Sequence, residues 1–277
     1  MPDRVDPGVW LGACRRAAAR ITGELAGMPS AVRRERLGAG AGGDTTIRVD
    51  RVAEDALLEE LTATGAAFRL VSEEVGELPV NGGGPTVVVV DPIDGSLNAG
   101  RCMTPFATSV AVADGDTMGN VHLGFVHDFG TGEEFTAHRG GGAFIDGVPV
   151  PPASPGGRLE LVLVEGALPL RVCHAAAVFD GHVGRLRAVG SLALSLCYAG
   201  AGRGDAMVGL GPGRAVDVAA AQLFAREAGL VVGMPTVGDL AGAPLDVTTH
   251  RTVAAARDDE TLDLMLSALS PGDRVGG

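Results

Sequence analysis

Val87-Val-Val-Val90-Asp91-Pro-Ile-Asp94-Gly95-Ser96 is the stretch that decides how the chain reads. Four consecutive β-branched residues read as a core strand. Two carboxylates directly after it put acid groups at the open C-terminal edge of a sheet, where the ligands of such sheets bind. Pro92 stiffens the turn, and Gly95 permits a close backbone approach. By itself, Asp-x-x-Asp-Gly reads equally well as a turn whose Asp side chains bond their own backbone. The flanking sequence has to decide.

Upstream, Leu70-Val71 is a second short buried strand leading into Ser72-Glu73-Glu74, so another carboxylate pair emerges at a strand end. Before it, Asp6 caps a first helix with Pro7 at its first position, and Trp10, Ala13, Ala17, Ile21 and Leu25 fall near one face. A Gly-rich stretch (Gly38–Gly43), the pattern Asp44-x5-Asp50 and a second helix from Arg51 to Thr64 follow. Downstream, Ala107 to Val150 is β-rich with Gly and Asp-Gly punctuation, the pattern of an antiparallel meander. Pro149–Gly157, with four prolines and two glycines, is the best boundary. Beyond it come a strand at Leu159–Glu165, a helix at Ser191–Ala199 and a helix at Asp217–Ala228 stopped by Gly229. A strand at Leu230–Val232 and a helix at Asp258–Leu269 end the pattern. The expectation is a mixed α+β and α/β chain in two parts, residues 1–150 and 158–277.

Composition narrows the function classes. The 277 residues are 46% hydrophobic and 20% charged, an ordinary globular balance. Apolar stretches are short: Leu161–Phe179 is broken by Glu165, Arg171 and His174, so no run reaches the roughly 18 residues of a membrane span. No secretory leader is visible, and a cytoplasmic location is the expectation. A formal net charge of −12 disfavours nonspecific binding to nucleic acid. The chain contains no lysine, which excludes Schiff-base and P-loop lysine chemistry. Cys14, Cys102, Cys173 and Cys197 lie far apart without C-x-x-C spacing, arguing against a zinc site or a disulfide framework.

What remains is a set of carboxylates at element ends: Glu73-Glu74, Asp91 and Asp94, with Asp50 and Asp217 each opening a helix. Asp is also a preferred N-cap, which is the plain alternative for the last two. Acid groups converging on one point repel unless cations sit between them. Oxygen ligands without His or Cys suit Mg²⁺ or Mn²⁺. Such a site activates water and screens a phosphate ester.

Asp44-x5-Asp50, Ser72-Glu73-Glu74, Asp91-Pro-Ile-Asp-Gly-Ser96 and Ala215-Val-Asp-Val-Ala-Ala220 stand in the order and approximate spacing of the inositol monophosphatase family, which the chain resembles over nearly its whole length. It looks closest to the archaeal-type branch that acts on both inositol-1-phosphate and fructose-1,6-bisphosphate. The resemblance implies a layered αβαβα sandwich of two tightly packed halves and a lithium-sensitive phosphatase using two or three Mg²⁺ ions, with no phosphoenzyme. It implies that Glu74, Asp91 and the carbonyl of Ile93 hold a first ion, and Asp91, Asp94 and Asp217 a second. Asp50 with the Ser96 hydroxyl would orient and deprotonate the attacking water. Asp94, the N–H groups of Gly95 and Ser96, Gly190-Ser191 and Arg214 would meet the substrate. The implied partner is a small phosphate ester, and relatives are commonly homodimers.

The match has gaps. Ala99 and Val216 replace aromatic packing residues. Archaeal-type relatives often carry basic side chains around the turn that here reads Leu210-Gly-Pro-Gly213, and only Arg214 remains, which weakens the case for a second phosphate. Arg187 either compensates or is a solvated charge, with the solvated reading preferred. His122 and His127 read as strand residues, and His174, His182 and His250 lack metal-ligand spacing. Cys102 reads as a packing residue and Glu133-Glu134 as an exposed hairpin tip. An aspartyl-phosphate phosphatase is the enzymatic rival, but it needs one residue between its acids and a downstream lysine. Histidinol phosphate and 3′-phosphoadenosine 5′-phosphate stay open as substrates, as does a non-catalytic metal-binding member of the family.

Overall fold

The computed structural model describes residues 5–43, 45–235 and 240–269, so Asp44 of the Asp44-x5-Asp50 pattern lies outside the described residues. In chain order, α1 (Pro7–Leu25), the single turn α2 (Ser30–Arg33), the hairpin β1 (Arg36–Ala39) and β2 (Thr45–Ile47), and α3 (Arg48–Thr62) come first. β3 (Phe68–Ser72), β4 (Gly76–Val80), β5 (Val87–Asp94), the short α4 (Ser96–Gly100) and β6 (Ala107–Ala113) follow. Then come β7 (Val121–Asp128), β8 (Glu134–His138), β9 (Gly142–Ile145) and β10 (Val148–Pro149). The rest comprises β11 (Leu159–Glu165), α5 (Pro169–Phe179), β12 (Val183–Arg187), α6 (Leu192–Gly200), β13 (Ala206–Gly209), α7 (Ala215–Glu227), β14 (Val231–Gly233), β15 (Ala254–Ala256) and α8 (Asp259–Ser267).

Two large sheets result. The first has eight strands in the order β10-β9-β8-β7-β6-β5-β3-β4, and the second has five in the order β12-β11-β13-β15-β14. In the first, β3 and β5 pair parallel while β5 to β10 run antiparallel, the expected meander. In the second, β11 pairs parallel with both β12 and β13.

Strand alternation explains the layers, because successive side chains face opposite sides of a sheet. Val88 and Val90 join Trp10, Ile21, Leu57 and Leu61 of α1 and α3 in one apolar cluster. Val87 and Val89 face the other way and join Leu194, Val218, Leu223 and Phe224 of α6 and α7, together with Leu163 and Met207 of the second sheet. Val162, Val164, Ala206 and Val208 then close on Phe179 and Met265 of α5 and α8. Helices, sheet, helices, sheet, helices: this is the αβαβα sandwich.

Several expectations need correction. Strands β4, β12, β13 and β15 and helix α5 were not foreseen, and α3 begins at Arg48 rather than Arg51. Cys102 is exposed with φ 56°, not packed. Glu133 and Glu134 are half-buried and ion-paired with Arg203 and Arg15, because α1 and the end of α6 cover that hairpin. His122 and His127 do lie on β7, the former 3.3 Å from Asp114.

Candidate active site

The parallel pair β3 and β5 builds the centre of the site. Their register sets Ser72 opposite Val90, and the Glu73 N–H donates to the Val90 carbonyl at 3.4 Å. Glu73, just past the end of β3, and Asp91, still within β5, therefore stand side by side. Asp217 comes to meet them from the first turn of α7. Each of the three offers a carboxylate oxygen, and these oxygens all lie within 4.8 Å of one another. Burial pushes the Glu73 carboxyl up to about 8, with Asp217 the next cause. Asp91 and Asp217 are also raised, chiefly by burial, and Glu73 adds to the effect on Asp91. An all-oxygen set, with Asp91 buried and Glu73 and Asp217 half-buried, whose members oppose one another's ionisation fits a hard divalent cation.

Glu74 was expected in this group; the structure brings Glu73 beside Asp91 and Asp217. Glu74 is one residue further into the β3–β4 turn, and its carboxylate accepts the Thr46 hydroxyl of β2 instead. Alternation at a strand end separates two adjacent acids in this way.

Asp50 and Asp217 carry out the helix-end role that was their plain alternative while also facing the site. Each is the third residue of its helix, and each carboxylate takes the backbone N–H three residues back: Ile47 at 2.9 Å and Arg214 at 2.7 Å. The second oxygen of Asp50, Oδ1, is buried without a hydrogen-bond partner. The Ser96 hydroxyl beside it has one proton and donates it to the Ile93 carbonyl at 2.8 Å. Burial raises the Asp50 carboxyl to about 6. An orphaned buried oxygen of this kind has a use for a cation or a water.

Asp94 stands outside the carboxylate trio. It accepts the Ser191 hydroxyl at 2.5 Å and the Ala193 N–H at 2.6 Å, so it joins the end of β5 to the start of α6. Burial, then Asp217, raises it to about 7. Ser191 is 1% exposed, and its hydroxyl also caps α6 by accepting the Leu194 N–H. Gly190 donates its N–H to Glu165 at 3.0 Å. Gly95 has φ 95°, and a Cβ there would stand 2.8 Å from the Gly190 carbonyl oxygen. The two turns touch, and only glycine fits.

Arg214 was expected to face substrate. Its guanidinium pairs with Glu73 at 2.7 Å and donates to the Gly42 carbonyl at 3.3 Å. It sits against the trio as a positive charge.

Two buried acids escaped sequence reading. Glu165, at the end of β11, takes the N–H groups of Val189 and Gly190 and the Ser195 hydroxyl, fixing the loop before α6. Glu54, one turn beyond Asp50 on α3, takes the Ser72 hydroxyl at 2.5 Å, and burial raises it to about 7. The i, i+4 spacing of Asp50 and Glu54 was the available signal. A cavity of about 1180 Å³ opens beside these groups, lined by Asp94 and Asp217 and by Leu161, Leu163, Val189 and Leu192.

Comparison with known proteins agrees with this picture. The family model described as the inositol monophosphatase family matches residues 9–271. A Methanothermobacter thermautotrophicus protein named fructose-1,6-bisphosphatase/inositol-1-monophosphatase is 35% identical over 243 residues, covering 83% of this chain and 85% of its own. The Escherichia coli protein named Nus factor SuhB is 32% identical over 233 residues, covering 80% and 84%. The crystal structure of the MJ0109 gene product, an inositol monophosphatase–fructose 1,6-bisphosphatase, superposes with a TM-score of 0.79 at 26% identity, over 94% of this chain and 99% of the other.

Proposed function

The chain belongs to the inositol monophosphatase family, and on that premise we propose that it is a phosphatase hydrolysing a small sugar or cyclitol phosphate with the help of Mg²⁺. The observation that carries the reading is the meeting of Glu73, Asp91 and Asp217 within 4.8 Å, with Asp217 also lining the cavity. These three would hold the ion, with Asp94 and the second lone pair of the Ile93 carbonyl at its edge. Bound there, Mg²⁺ or Mn²⁺ supplies charge neutralisation for the incoming phosphate and acidifies water.

The protein's own groups do the rest. Asp50 offers its unpartnered Oδ1 as the acceptor for a water proton, and the Ser96 hydroxyl orients that water. Attack by water needs no phosphoenzyme. Gly95 and Ser96, at the turn into α4, present backbone N–H groups towards the phosphate. Asp94 fixes the cavity wall through Ser191 and Ala193. Arg214 takes part through its ion pair with Glu73, balancing charge in the site.

No helix among the described residues is long and apolar enough to cross a membrane, in keeping with a cytoplasmic enzyme. Lithium sensitivity and a homodimer are part of the same proposal. So is the absence of a nucleic-acid partner, which the net charge supports. The test is phosphate release from inositol-1-phosphate, fructose-1,6-bisphosphate, histidinol phosphate and 3′-phosphoadenosine 5′-phosphate, each with Mg²⁺, with EDTA and with added Li⁺. Mg²⁺-dependent turnover of one or two of these is expected. Silence from the folded protein across the whole panel overturns the reading.

A further inference from the structure

The pairing between β3 and β5 ends where the site begins. Ser72 opposite Val90 is the last register pair, and beyond it the Glu73 N–H meets the Val90 carbonyl at a long 3.4 Å. A side chain ties the chain down at that point. Ser72, 0% exposed, donates its hydroxyl to the Glu54 carboxylate at 2.5 Å, and the same oxygen accepts the Glu74 N–H at 3.4 Å.

Glu54 is itself 1% exposed and stands outside the cavity lining. It lies four residues after Asp50 on α3, so the two acids share a face of that helix. One helix face thus offers Asp50 to the site and holds the residue before Glu73. A buried carboxylate costs stability, and two apolar side chains of matching shape would fill the same space at no loss. What such a pair would not do is fix the direction of the chain at the end of β3, because apolar packing is not directional.

We propose that Glu54 is a positioning residue: through Ser72 it sets the direction in which the chain passes from β3 into Glu73, and so keeps the Glu73 carboxylate within reach of Asp91 and Asp217 for the metal ion. The inference rests on the metal-dependent phosphatase reading above and deepens it. Partners behind the residues that hold a metal commonly change its affinity tenfold to a hundredfold, about the same as is expected here.

The test uses the full chain and three readouts: Mg²⁺ binding by calorimetry without substrate, the Mg²⁺ dependence of phosphate release, and the urea midpoint. Glu54→Leu removes the acceptor, and Ser72→Ala removes the donor. The double variant Glu54→Leu/Ser72→Ala leaves neither group unpaired, so its urea midpoint should return close to that of the wild type. Its Kd for Mg²⁺ should nevertheless stay raised about tenfold or more, as in each single variant, with the Mg²⁺ needed for half-maximal phosphate release rising in step. Glu54→Gln keeps an acceptor oxygen and should stay within about threefold of the wild type. A double variant that regains the wild-type Kd together with its midpoint overturns the inference, because the pair then serves stability alone. An unchanged Kd in the single variants overturns it as well, and so does a double variant that does not fold. A wild type that binds no Mg²⁺ overturns both this inference and the metal-dependent reading. One that binds Mg²⁺, with the Kd raised in the variants, but releases phosphate from no ester of the panel overturns the phosphatase reading alone.

Discussion

Glu73 and Asp91 stand abreast because the residues before them, Ser72 and Val90, are register partners on neighbouring parallel strands. The two strands of a parallel pair run in the same direction, so the next residues, Glu73 just past β3 and Asp91 within β5, meet at one place. Both are acids. Asp217 completes the group from a helix that lies between the two sheets.

One consequence concerns stability without metal. Glu73, Asp94 and Asp50 are raised to about 8, 7 and 6 from ordinary values near 4, in each case chiefly by burial. The folded chain thus binds more protons than the unfolded one. Stability is full below the unfolded values and is lost as pH rises through about 6 to about 8. In EDTA the melting temperature should fall from about pH 5 to about pH 8. Mg²⁺ at a hundred times its Kd adds about 2.7 kcal/mol, or roughly 5–10 °C for a chain of this size. A melting temperature at pH 8 that ignores Mg²⁺ contradicts the carboxylate assignment.

Glu165 offers a second check. Replacing it with Ala strands three donors, the N–H groups of Val189 and Gly190 and the hydroxyl of Ser195. The expected loss is about 2–4 kcal/mol, read as a lower urea midpoint. Glu165→Gln keeps acceptor capacity and should lose less. An unshifted midpoint in the Ala variant would show that the loop before α6 is held by other contacts.

Gly95 should tolerate no side chain. Gly95→Ala requires a positive φ and sets a methyl group against the Gly190 carbonyl. It should cost about 2 kcal/mol or more and displace Asp94 and Ser96 together. Thermal melting and phosphate release should therefore fall in parallel. Full activity in this variant would contradict the close fit of the two turns.

Much of this site can be read directly from the chain. Val87–Val90 announces its strand by β-branching, and Asp91 and Asp94 announce the edge. Asp217 follows from the pattern around it. Which of Glu73 and Glu74 lies beside Asp91 was not legible, because it depends on the register of β3 against β5 and on the parity of a turn, which two identical neighbours do not reveal. The second sheet was faint for a different reason. Its strand β15 is Ala254-Ala-Ala256, which has neither β-branching nor alternation, and it pairs antiparallel with β13 on one side and β14 on the other. Glu165 interrupts an apolar stretch, which by itself argues only against a membrane span. Its partner Gly190 lies 25 residues away, and only the fold brings the two together.

The most direct measurement is a Mg²⁺ titration of phosphate release from inositol-1-phosphate and fructose-1,6-bisphosphate by the wild type, Glu73→Gln and Glu74→Gln. Removing the acid that stands beside Asp91 should lower kcat about a hundredfold or more and raise the Mg²⁺ requirement, whereas Glu74→Gln should stay within about tenfold of the wild type. The reverse order, with Glu74→Gln inactive and Glu73→Gln near normal, would contradict the assignment of the metal-holding trio.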